Sequence, residues 1–119
     1  MHHLTPEQIE ELRRLLLSRY EETAGRIRRF MEESLQSGRE VGDEIDVADR
    51  EMERLKAIRL RERETRYLKK IEYALKKIEE GTYGICENCG GPISYERLKA
   101  RPVAIYCIKC KKLLEAEED

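Results

Sequence analysis

Tryptophan is absent from this 119-residue chain, phenylalanine occurs once, and aromatic residues make up only 6%. With 39% hydrophobic and 41% charged residues, it cannot bury a large globular core. Residues 44–80 contain neither proline nor glycine, so nothing in that span interrupts a helix. No apolar run approaches the roughly 20 residues that span a bilayer, and the opening MHHLTPEQ has no signal-peptide core. A cytoplasmic protein is expected. Four cysteines in that compartment point to metal binding sooner than to disulfides. Net charge is also missing: it totals −1.

That near-zero charge hides a segregated pattern. Lys plus Arg against Asp plus Glu number 6 to 7 over residues 1–35, 2 to 6 over 36–51, and 10 to 6 over 52–80. They number 6 to 2 over 81–112 and 0 to 4 over 113–119. Such an electrically bipolar chain does not suit uniform binding to nucleic acid or anionic lipid.

What is present is periodic. Thr5-Pro6-Glu7-Gln8 reads as a helix start, with Thr5 as cap, Pro6 in the first position and Gln8 closing a capping box. Ile9, Leu12, Leu16, Tyr20, Thr23, Ile27, Phe30 and Ser34 then step by three or four, which predicts a helix of about 29 residues. Gly25 weakens its middle, by about 1 kcal/mol relative to alanine. Residues 36–42 form a short connection, after which Asp43 can cap a second helix over about 44–80. Ala48, Met52, Leu55 and Ile58 make its first stripe, and Thr65, Leu68, Ile71, Leu75 and Ile78 its second. Gly81 ends it. Two such helices joined by a short loop are expected to pair as an antiparallel coiled-coil hairpin crossing at about +20°. The fold class is mostly α. Residues 1–80 form the hairpin, with its tip at about 36–48, and residues 81–119 a small cysteine module. In that module Ile93-Ser94 and Val103-Ala104-Ile105 read as β-type pieces, followed by a short helix from about Cys107.

The tip is a compact acidic knot. Asp43, Glu44, Asp46, Asp49 and Glu51 fall within nine residues. Capping and the helix dipole explain Asp43 and Asp46 individually, but not five acids together; Glu44, Asp49 and Glu51 read as a solvated face.

Cys86-x-x-Cys89 and Cys107-x-x-Cys110 are separated by 17 residues. Paired knuckles at this spacing suit one tetrahedral zinc ion bound by four sulfurs at about 2.3 Å. Gly90 and Gly91 can adopt positive φ and turn backbone N–H groups toward the thiolates. A module so poor in apolar residues depends on the ion for its stability. Four sulfur ligands leave no open position, which argues for a structural ion. A thioredoxin-type redox pair lacks its βαβ setting here. Four thiolates around a dication leave a local charge of −2, which Lys99, Arg101, Lys109, Lys111 and Lys112 are placed in sequence to offset. His2 and His3 read as an unstructured terminus and are not needed as ligands.

At this point the chain resembles the DksA/TraR family of bacterial transcription factors over about residues 5–115. YGICENCGGPISYERLKARPVAIYCIKCK looks like the family's zinc region, and Asp43-x-x-Asp46-x-Ala48 matches its DxxDxA tip pattern. The first helix is long, as in the DksA type and unlike the shorter TraR type. The resemblance implies a monomeric, non-enzymatic regulator that docks on RNA polymerase and reads no promoter sequence. Its coiled coil enters the secondary channel, where Asp43, Asp46 and Ala48 act, and alters open-complex stability. It implies polymerase-rim contacts at Arg59 and Arg63. It also implies binding of the alarmone ppGpp as co-effector at Lys70, Arg101 and Lys111, three cations suited to a polyphosphate.

Three other functions compete on sequence grounds. A zinc-dependent DNA-binding protein would want a basic recognition helix, but KCKKLLEAEED turns acidic after its lysines. A transcript-cleavage factor would use tip acids to hold a second Mg²⁺, yet such factors lack a four-cysteine module. A zinc-stapled adaptor for an unrelated protein remains the plainest alternative.

Overall fold

The computed structural model describes the backbone of residues 2–37 and 45–118, and the side chains of these except 34–37, 45–47 and 117–118. Four helices follow in order: α1 (Pro6–Ser37), α2 (Ile45–Glu80), α3 (Tyr95–Ala100) and α4 (Ile108–Glu118). The mostly α class and the helical hairpin of α1 and α2 agree with the sequence reading. Asp43, the proposed cap of α2, lies outside the described residues.

The helix boundaries have local chemical causes. The Thr5 N–H donates to Gln8 Oε1 and the Gln8 N–H to Thr5 Oγ1, each at 3.0 Å, completing the capping box. Gly81 stops α2 with φ of 77°. Its N–H donates to Ile78 O at 3.2 Å and that of Thr82 to Lys77 O at 3.0 Å, the paired bonds of a Schellman ending. The first helix runs 32 residues, through Gln36 and Ser37 that the sequence assigned to the connection.

The chain forms two compact units, one of Met1–Arg19 with Lys70–Asp119 and one of Tyr20–Lys69. In the first, Leu12, Leu16, Ile71, Ala74, Tyr83, Ile93, Leu98 and Val103 are buried together with Cys86 and Cys110. The Tyr83 hydroxyl donates to Pro102 O at 2.7 Å in this core, and burial pushes its phenol well above the ordinary tyrosine range. In the second unit, Tyr20, Ile27 and Phe30 of α1 and Ile58, Leu60, Tyr67 and Leu68 of α2 are half-buried. There Arg26 of α1 binds Glu64 of α2 through two bonds of 3.1 Å.

Several expectations are corrected. Ala48, Met52 and Leu55 are exposed, Met52 by 58%, so the first stripe of α2 buries only part of Ile58. Thr65 is also exposed, and its hydroxyl donates back to Arg61 O at 2.8 Å. Among the described residues of this unit no apolar side chain is fully buried. The proposed β-type pieces are not strands. Among the described residues the only pairing is an isolated bridge between Ile85 and Pro92. Tyr95–Ala100 is helical instead, because Ser94 caps it by accepting the Arg97 N–H at 3.2 Å.

His2 and His3 are ordered, against expectation. Their Nε2 atoms meet the carbonyls of Tyr83 and Ile93, each at 2.7 Å, and the rings stack at 5.0 Å. The Leu4 N–H donates to His2 Nδ1 at 3.2 Å, so His2 donates through Nε2–H. Leu4 itself is buried, and this clasp closes over Gly84, whose φ is 85°. Two glycines then separate backbone strain from crowding. Gly81→Ala meets nothing within 4 Å and is expected to cost about 1–2 kcal/mol, the left-handed backbone penalty. Gly84→Ala would place Cβ 2.9 Å from Leu4 Cδ1 and is expected to cost about 1–3 kcal/mol more. Denaturant unfolding of both variants checks this; equal losses would remove the crowding argument.

Candidate functional site

The cysteine centre is built by short backbone contacts. The Cys86 N–H donates to Gly91 O at 2.8 Å and the Gly90 N–H to Cys86 O at 2.9 Å, which curls the first knuckle. Gly90 makes that curl possible with φ of 75°; Gly91, expected to share this conformation, does not. The Gly91 N–H points at Cys89 Sγ from 3.4 Å, as a thiolate in this knuckle requires. The second pair opens α4, where the Lys111 N–H donates to Cys107 O at 2.9 Å. The Glu87 N–H bonds to Ile105 O at 2.9 Å and ties the first knuckle to the approach of the second.

The result brings all four sulfurs within 4.8 Å of one another. A regular tetrahedron of bonds of about 2.3 Å has sulfur–sulfur edges of about 3.8 Å; Cys89 Sγ and Cys107 Sγ lie 3.9 Å apart. All four cysteines are free, with Cys86 and Cys110 buried, Cys107 intermediate and Cys89 exposed. Burial raises the Cys86 thiol, but the backbone groups of Cys89, Cys107 and Asn88 outweigh it and lower it to about 6. Asn88 lowers Cys110, yet burial and the other three cysteines push it up to about 11. Crowded thiols cannot all ionise in isolation, whereas a dication among them favours the fully ionised set. The geometry and the donor chemistry therefore fit zinc.

A second constellation was missed by sequence reasoning. Glu87, inside the first knuckle, accepts from Tyr73 Oη and from Lys77 Nζ, both at 2.8 Å, and the ammonium of Lys77 stands 5.5 Å from the Tyr73 ring centre. The Lys77 hydrogen bond holds the Glu87 carboxyl below its ordinary value despite burial. Tyr73 and Lys77 share one face of α2 at a spacing of four, but nothing along the chain announces that Glu87 meets them.

The remaining predicted residues separate by unit. Lys70 on α2, Arg101 at the C-cap of α3 and Lys111 on α4 all belong to the first unit. Lys70 and Arg101 are exposed; Lys111 faces Glu115 at 3.9 Å. Among the cations proposed to offset the sulfurs, Lys99 lies over the Tyr95 ring at 5.4 Å. In the second unit Arg59 and Arg63 are exposed and four residues apart on α2. Ala48 is exposed on the same helix, Asp46 is helical with its side chain undescribed, and Asp43 lies outside the described residues.

A helical hairpin joined to paired cysteine knuckles defines a protein of the C4 zinc-finger class. Comparison with known families is specific. The N-terminal domain of the DnaK suppressor protein DksA matches residues 8–78, and the prokaryotic dksA/traR C4-type zinc finger matches residues 81–116. This chain belongs to the DksA/TraR family. The RNA polymerase-binding transcription factor DksA of Escherichia coli K12 is 47% identical over 76 residues, 64% of this chain and 50% of that protein. The match thus spans about half the length of that relative. The Haemophilus influenzae protein of the same name is 35% identical over 116 residues, 98% of this chain and 80% of that one. Among solved structures, transcription factor DksA2 from Pseudomonas aeruginosa superposes with a TM-score of 0.88 at 38% identity, covering 98% of this chain and 89% of that one.

Metal removal tests the centre. Reduced protein should take up one zinc per chain, release protons as it does so at pH 7, and shield all four thiols from alkylation. Chelation should unfold residues 81–110 and restore alkylation. Helix content and thiol reactivity that ignore zinc would refute a structural role.

Proposed function

We propose that this chain binds bacterial RNA polymerase and regulates transcription as a non-enzymatic factor. One observation carries the reading: the two family domains jointly cover residues 8–78 and 81–116. Relatives named for polymerase binding, among them one aligned over 98% of this chain, support it.

In this reading the segment that connects α1 to α2 enters the polymerase secondary channel. The carboxylates of Asp43 and Asp46 act there on basic groups or mobile elements, and Ala48, small and exposed, permits close approach. Arg59 and Arg63 bear on the channel rim. Cys86, Cys89, Cys107 and Cys110 hold one structural zinc ion, which supplies a cross-link between the knuckles when bound. Lys70, Arg101 and Lys111 take the phosphates of ppGpp, with polymerase completing the pocket. Lys111 exchanges its weak contact with Glu115, 3.9 Å away, for phosphate. The factor works in the cytoplasm as a monomer and reads no DNA sequence. No helix among the described residues is long and apolar enough to cross a membrane.

Open-complex lifetime on a ribosomal RNA promoter tests the tip. The wild-type protein should shorten it several-fold, while Asp46→Asn retains polymerase affinity and loses most of the effect. An equally active Asn variant would sink the tip assignment, and cleavage of RNA in backtracked complexes would favour a transcript-cleavage factor. Alanine at Lys70, Arg101 or Lys111 should reduce the response to ppGpp more than the basal effect. Unchanged synergy would remove that residue from the site.

A further inference from the structure

The second unit is held together in an unusual way. Among its described residues the only buried one is polar: Thr23, with 0% exposure. None of its described apolar residues is fully buried, and Met31, Met52 and Leu55 are 48–58% exposed. A seam of half-buried apolar side chains is tolerant of sliding, because one helical turn of displacement, about 5.4 Å, exchanges one such contact for another. Hydrophobic burial by itself does not fix which residue of α1 faces which residue of α2.

The polar residues supply what the apolar ones lack. Arg26 Nη2 donates to Thr23 Oγ1 at 3.1 Å and to Glu64 Oε2 at 3.1 Å, while Arg26 Nε donates to Glu64 Oε1 at 3.1 Å. The guanidinium thus binds Thr23 one turn back on its own helix and clamps the carboxylate of the opposite helix with both arms of its fork. The Glu64 side chain is only 15% exposed and that of Arg26 41%. Geometry makes the difference: a lysine is a point charge that would follow a displaced carboxylate, whereas a fork already anchored on Thr23 accepts the carboxylate in one place. Setting register is also the best-attested use of a polar group placed in a helical seam.

We propose that Thr23, Arg26 and Glu64 form a register lock that fixes the stagger of α1 against α2. They would then act as positioning residues for the tip carboxylates. That functional consequence rests on the polymerase reading; the lock itself does not.

The test replaces the lock with apolar residues of similar volume, Arg26→Met with Glu64→Leu, in the zinc-loaded full-length protein. Spin labels attached through ketone side chains at Glu21 and Glu53, both exposed and offset along the helix axis by about 24 Å, report axial displacement of the helices without touching the cysteines. The wild-type lock should give one narrow distance peak. The apolar pair should keep helix content and melting temperature but add a second peak displaced by about one turn, near 5 Å. A single unshifted peak in the folded variant would overturn the proposal. Should the double variant fail to fold, Glu64→Gln decides. It keeps the shape and loses the paired carboxylate oxygens, and a single narrow peak there would be equally decisive against the lock. With polymerase, the apolar pair should bind within about twofold of wild type and lose at least fivefold of the effect on open-complex lifetime. A wild type that does not bind polymerase would defeat the functional reading and leave the distance result standing.

Discussion

Four sulfur atoms gathered within 4.8 Å are the constraint on which the C-terminal half of the first unit depends. Between Gly81 and Cys110 there is no strand among the described residues, and α3 is only six residues long. Segments this short cannot sustain themselves by hydrogen bonding alone. What they share is the sulfur cluster, with Cys86 and Cys110 buried in the same core as Tyr83, Ile93 and Leu98. Four thiols crowded this closely cannot all ionise favourably unless a cation balances them. The ion therefore belongs to the folding energetics of this unit and is not an addition to a finished fold.

The contacts surrounding that cluster distribute its rigidity. Glu87 carries the first knuckle onto α2 through Tyr73 and Lys77, each at 2.8 Å. His2 and His3 bind the carbonyls of Tyr83 and Ile93, on either side of the knuckle. Tyr95 donates to Glu11 of α1, and Arg97 to Tyr106 O. Each of these bonds joins residues distant in sequence, so the knuckle is held by side chains from α1, α2, α3 and the N-terminal segment. In the polymerase reading this makes the first unit an anchor.

The second unit follows a different physical rule. Its described apolar residues remain partly exposed, and the buried residue among those described is a threonine bound to an arginine. Half-burial stabilises the pairing of two helices weakly, while a forked ion pair of 3.1 Å bonds adds direction. Strength and specificity thus come from different residues. The sulfur-bearing unit, by contrast, combines both in one cluster.

Much of this was legible along the chain. The capping box at Thr5 and Gln8, the Gly81 stop, the α1 stripe through Leu12 and Leu16, and the paired cysteine knuckles are local patterns, set by spacings of two to five residues and by the φ freedom of glycine. Local spacing also carried the family resemblance, since both signatures are short and contiguous. It failed where the outcome depended on a distant partner. Met52 and Leu55 repeat at helical intervals yet stay exposed, and Ile93 and Val103 look like strand residues yet are buried in the core outside any strand.

Along the chain alone one could read the two long helices, the Gly81 stop, and four cysteines spaced to share an ion, because backbone sterics and ligand geometry act over a few residues. Only the tertiary structure decided that Glu87 meets Tyr73 and Lys77, that two histidines clasp the knuckle, and that Arg26 joins Thr23 to Glu64. Thr23 and Arg26 apart, which neighbour each other on one helix, those partners stand 10 to 90 positions from one another. Their energies arise from the approach of charges and donors in space, which no periodicity along the chain encodes.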